Sequence, residues 1–223
     1  MWFIIALIGY ICLGLVYVLD KFILTKSVSK PVVYTFYSTI FMFGAILFLP
    51  FCKDVLSGID MLWALVSGLA FGFGLWAIYV AVKIGEASHI NPFIGAVVAV
   101  STYWLSSLFL GENLSVLQVW GIVILIAATF LLSFEKSHKH NGFHIGFVWA
   151  VLGGVLFAIS HVSAKYLYMN YDFFTAFIWT RFTIGFVGII LLLLSSSVRS
   201  VFKSKNPPSL KLRRARKKKH VFA

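Results

Sequence analysis

Charge is scarce in this chain. Only 12% of its 223 residues are Asp, Glu, Lys or Arg, while 61% are hydrophobic. Soluble domains carry roughly 25% charged and about 45–50% apolar residues. The shortage excludes a soluble globular enzyme, a disordered chain and a secreted disulfide scaffold. Cysteine is nearly absent too. Cys12 and Cys52 fall in or at the end of apolar runs, and neither has a partner at metal-ligand spacing. Both read as small packing residues. Catalytic signatures are missing as well. There is no GxxxxGK phosphate loop, no HExxH, no GxSxG and no convincing acid/base pair in an apolar run. A built-in ATPase and an intramembrane enzyme are disfavoured, and no cofactor is expected.

What is present is apolar sequence in long runs. Mean hydropathy is +0.95. A helix needs about 20 apolar residues to cross a bilayer core. Seven runs of that kind cover residues 2–19, 32–52, 61–82, 90–110, 116–134, 145–167 and 173–194. They are too continuously apolar to alternate as lipid-facing barrel strands do. Backbone groups in lipid must be satisfied within their own segment, so each run is expected to be a helix. The fold class is therefore all-α, a polytopic transmembrane bundle of about seven helices.

The basic residues are unevenly placed. Ten of the 19 lie from Arg199 onward, in a stretch without acids, whereas the first 198 residues hold nine basic and seven acidic groups. A nearly neutral membrane body thus carries a basic polar tail over 196–223. The start is apolar from Trp2 and has no basic n-region. It reads as a first transmembrane helix, not a cleaved signal peptide. Small residues mark expected helix contacts: Gly68 and Gly72 in the third run, and Gly146, Ala150, Gly154 and Ala158 in the sixth.

A weak repeat links the first helix to the sixth. Lys21 aligns with Lys165 at an offset of 144 residues, and five helices separate the copies. An odd number of spans per copy inverts the second one, as in many secondary transporters. The expected units are 1–135, a first five-helix repeat, and 144–195, the first two helices of a second. A second repeat symmetric with the first is expected to need three further helices.

Recognisable motifs follow. Gly85-Glu86-Ala87-Ser88 precedes Pro92, and Gly111-Glu112 precedes Leu114, Gln118 and Gly121. With "VLDKFIL" and "WTRFTIG", these resemble the EamA domain of the drug/metabolite transporter superfamily. The resemblance implies ten helices in two inverted five-helix repeats, which move small metabolites, amino acids or drugs by alternating access. It places the first motif between the third and fourth helices, and the Gly-Glu pair between the fourth and fifth. It also implies an integral protein of the cell (plasma) membrane of a prokaryote. Against that plan the chain reads as a truncated product, or as one that assembles with another subunit.

Several residues are candidates for the solute pathway. Arg181 lies eight residues into the seventh run, about 12 Å along a helix. A charge at that depth costs at least a few kcal/mol unless it faces a cavity or a partner. It suits an anionic substrate group, or else a structural ion pair or carbonyl contacts inside the bundle. His161 and Lys165 share one face of the sixth helix at i and i+4. His161 is either a satisfied structural residue or a proton carrier, and Lys165 is expected to snorkel to the interface. Lys21 enters as the repeat partner of Lys165. Glu86 and Pro92 are expected to cap and start the fourth helix. Glu112 is expected near the amino end of the fifth, where a negative charge is favourable. Trp76, Tyr79, Tyr103, Trp104 and Trp179 line a cavity or mark the interface belt. His138, His140 and His144 match no zinc spacing, so no metal site is expected.

The expected partners are the lipid bilayer, a small-molecule solute with a coupling ion, and a homo- or hetero-oligomer, with no nucleic acid. A seven-helix receptor is the competing class, but a retinal type would want a lysine in its last helix, and 173–194 has none. Charge bias favours a cytoplasmic tail and an external amino terminus. The resemblance implies the reverse.

Overall fold

The computed structural model describes residues 2–28, 30–133 and 143–203. Every regular element among them is helical. Helix α1 spans Trp2–Phe22 and continues as a π-helical turn, Ile23–Ser27. Helix α2 spans Pro31–Ile40 and runs on as a 3-10 helix, Phe41–Phe51. Then follow α3 (Gly58–Ile84), α4 (Ala87–Leu110), α5 (Val116–Ser133), α6 (Phe143–Asn170), α7 (Phe173–Leu194) and α8 (Ser196–Lys203). Six described helices are long and apolar enough to cross a membrane, and within α5 Val116–Thr129 is a shorter apolar helix. The protein is an all-helical polytopic bundle.

Local chemistry sets the helix ends. Pro31 opens α2, where its fixed φ suits the first turn and its missing N–H is no loss. Ser57 caps α3, accepting from the Asp60 N–H at 3.3 Å and donating to the Asp60 carboxylate at 2.6 Å. Ser115 and Gln118 do the same for α5. The Ser115 N–H donates to Gln118 Oε1 at 2.9 Å, and the Gln118 N–H to Ser115 Oγ at 3.4 Å. That reciprocal pair is a capping box.

Helix α3 is central. It packs most extensively on α6, and also on α7, α2 and α4. Small side chains allow this approach: Ala64, Ala81, Ala150 and Ala158 are fully buried. A Cβ on Gly72 would stand 2.6 Å from Val187 of α7, and one on Gly154 would stand 2.6 Å from Val97 of α4. Gly146 is looser, with Ile90 at 3.5 Å. Buried hydroxyls tie the same helices. Ser67 donates to the Ser160 carbonyl at 3.0 Å, and Thr183 to the Ala64 carbonyl at 2.8 Å. Interhelical bonds of this kind contribute about 0.6 kcal/mol each in a membrane protein.

The region expected to be only a polar tail begins with α8. Val198 is buried against Val33 and Phe36 of α2, with Val201 beside them. The three-residue spacing puts both valines on one face, which seats eight residues as a helix. The rest of the tail, 204–223, lies outside the described residues, as do His138, His140 and the side chain of His144.

Candidate functional site

A cavity of about 300 Å³ opens between α3, α6 and α7. It is at the small end of ligand sites, and its volume equals about ten water molecules. Helix α3 contributes Ser67 and Phe71. Helix α6 contributes Ser160, His161, Ala164, Lys165 and Tyr168, and α7 contributes Thr180, Arg181 and Ile184. Arg181, His161 and Lys165 thus line one cavity, the first from α7 and the other two from α6.

Their electrostatic situations differ. Lys165 donates to Glu112 at 2.7 Å, so its charge is matched. The Arg181 guanidinium lies over the Phe71 ring at 5.8 Å and the Phe177 ring at 5.4 Å. No described residue gives it a hydrogen bond or an ion pair. Each ring offsets about 0.5–1 kcal/mol for a half-buried cation. The guanidinium is only half-buried, so water meets the rest of its charge and no acidic side chain among the described residues does. The cavity therefore holds one positive charge that the described protein does not balance. His161 Nδ1 is bonded to the Phe157 carbonyl one turn back. A carbonyl only accepts, so Nδ1 carries the proton, and Nε2 of the neutral ring is an acceptor.

Glu112 reaches Lys165 because of the residue before it. Gly111 ends α4 with φ +66°, a left-handed conformation that costs a side chain roughly 1–2 kcal/mol. The turn folds the Glu112 N–H toward the Ser106 carbonyl at 3.4 Å and sends the next stretch back to α5. Glu112 lies just ahead of α5, before its Ser115 cap, and its carboxylate is engaged by Lys165 of α6.

Lys21 lies elsewhere. Its ammonium donates to the Val82 and Gly85 carbonyls at 2.6 and 2.7 Å. It caps the carboxyl end of α3 at the far side of the bundle from Lys165. Beside it, Tyr34 donates to Asp20 at 2.5 Å. Glu86 stands at the start of α4, but its side chain makes no capping bond; it lies 3.6 Å from His89. Pro92 falls inside α4, beyond its first turn. The cavity aromatics are Phe71 and Tyr168, while Trp76, Tyr79, Tyr103, Trp104 and Trp179 are not in its lining.

Tyr168 was legible on the sequence, because it continues the His161–Lys165 face by three residues. Ser67 and Phe71 were not, since apolar periodicity does not tell which face of α3 meets α6 and α7.

The EamA-like transporter family model matches residues 1–134. The chain belongs to the EamA-like transporter family. It is therefore an integral membrane protein of the drug/metabolite transporter type, with the bilayer as its surroundings and a small solute as its cargo. No curated protein and no solved structure matches it. In this family member the matched region ends with α5, so Arg181, His161 and Lys165 lie beyond it.

Proposed function

We propose that the protein is a secondary transporter of small metabolites or drugs and that solute binds in the cavity around Arg181. The observation that carries this is the cavity itself: polar and charged side chains of three apolar helices converge about 12 Å along α7. Intramembrane ionisable residues facing a cavity are the usual mark of a solute or ion path. The family match ending at residue 134 supports a division into a five-helix unit, 1–135, and a second unit over 144–195. A gradient of a coupling ion, in the plasma membrane of a prokaryote, supplies the energy.

The Glu112–Lys165 pair suits a moving part. Its side chains are 37% and 48% exposed, and exposed ion pairs contribute only about 0–1 kcal/mol. Such a contact biases the α4–α5 connection toward α6 without locking it.

The test is uptake into proteoliposomes of a radiolabelled panel of amino acids and small organic acids, under proton or sodium gradients. At least one solute is expected to accumulate, and Ala164→Trp, which fills the cavity, to abolish it. A folded protein that moves none of the panel would count against transport. A second reading, a membrane subunit that pairs with another half, is favoured by α1. From Phe3 to Leu19 its described side chains are exposed, Ala6 partly. The mass of the detergent-solubilised particle separates the two: a complex with a second chain supports pairing.

A further inference from the structure

We propose that the cavity selects a small solute bearing a single carboxylate, bound by Arg181. The proposal rests on this cavity being the solute site. Three observations lead to it. The Arg181 guanidinium has ring faces beside it and no acidic partner among the described residues. The other cation of the wall, Lys165, is already matched by Glu112. No carboxylate is in the lining. The uncompensated charge is thus one, which suits a carboxylate better than a phosphate ester carrying about −1.5 to −2. A guanidinium offers paired N–H donors in the geometry a carboxylate accepts.

The rest of the wall limits the remainder of the solute. Phe71 and Tyr168 offer ring faces, and Ser67, Ser160 and Thr180 offer hydroxyls. His161 Nε2 accepts a proton donor when the ring is neutral. About ten waters' volume admits a compact solute, and benzoate is a probe of fitting size and charge.

The test measures binding of benzoate, its neutral isostere benzamide and phenyl phosphate to the full chain in detergent. Benzoate is expected to bind more tightly than either. Arg181→Gln is expected to weaken it by about ten- to a hundredfold, and Arg181→Lys to restore part of the loss. Benzamide binding as tightly as benzoate, or Arg181→Gln binding benzoate as the wild type does, overturns the proposal. So does tighter binding of phenyl phosphate. Ala164→Trp separates this failure from failure of the site. If it abolishes benzamide binding while charge makes no difference, the cavity is a solute site without carboxylate selection. If benzoate binding survives it, the cavity is not the site. Wild-type protein gives a second measurement. Benzoate should protect Arg181, and not the exposed Arg199, from phenylglyoxal, read by peptide mass spectrometry. Equal protection of both overturns the proposal.

Discussion

Asp172 shows how much one side chain organises at a helix end. It accepts from the Phe174 and Thr175 N–H groups at 3.0 and 3.2 Å, and from the Thr175 hydroxyl at 2.6 Å. The same hydroxyl oxygen accepts from the Lys53 and Asp54 N–H groups at 3.3 and 3.4 Å. One capping site therefore joins the start of α7 to the chain after the 3-10 helix. The Thr175 hydroxyl bond holds the Asp172 carboxyl below its ordinary value of 3.8, with the two backbone donors and Lys53 adding to it against desolvation. A lowered folded value means the carboxylate form favours the fold. That stability is present above the unfolded value and lost as pH falls through the lowered folded one. Thermal unfolding in detergent should show a falling midpoint on acidification below about pH 3.8. Asp172→Asn should have a lower midpoint at neutral pH and a smaller acid-dependent fall. Parallel curves for the two proteins would remove Asp172 from the account. The cap was readable as an acid before an apolar run, but Thr175's second role was not, because it needs the 3-10 helix to end beside α7.

At the scale of elements, close helix approach depends on which glycines face a neighbour. A Cβ on Gly68 would come within 2.5 Å of the Thr183 carbonyl carbon, whereas one on Gly121 would meet nothing within 4 Å. Backbone cannot rotate away as a side chain does, so α3 and α7 would have to separate. Overpacking of this sort costs about 1–3 kcal/mol. Gly68→Ala should lower the unfolding midpoint clearly, and Gly121→Ala should leave it nearly unchanged. Equal effects would mean that the close approach of Thr183 does not decide the response, since helix propensity alone favours Ala over Gly at both sites. Helix α1 illustrates the opposite case. Its described apolar side chains from Phe3 onward are exposed, Ala6 partly, and its described polar ties sit at its carboxyl end, through Asp20 and Lys21. The long apolar runs made these elements legible. The packing faces were less so, because a glycine is the same letter whether a helix or lipid lies beside it.

At the scale of the molecule, successive antiparallel helices sort the charges. Lys26, Lys30, Lys83 and Arg199 belong to the end where α1, α3 and α7 finish. Lys53, Asp54, Glu112 and Asp172 belong to the other. Lys30 also donates to Ser197 at 2.9 Å, which ties α8 to the first end. In a background with Cys12 and Cys52 replaced by serine, Lys30→Cys and Lys53→Cys should react with an impermeant thiol reagent from opposite sides of the membrane. Labelling from the same side would break this thread. The side on which Lys30→Cys reacts also decides between charge bias and family resemblance as guides to orientation.

The sequence by itself determined the solvent, the long helices and the family, but not α8. Continuous apolar runs admit only internally bonded helices in lipid, and the matched region fell where the motifs lay. It did not determine the site. His161 and Lys165 share a face by helical geometry alone, but Arg181 joins them only because α6 and α7 close on α3. Lys21, the repeat partner of Lys165, went instead to the end of α3. The sequence spacing of charges sets their depth along a helix. Which helices meet, and hence which charges share a cavity, depends on side-chain fit between distant segments, and only the tertiary structure decides that.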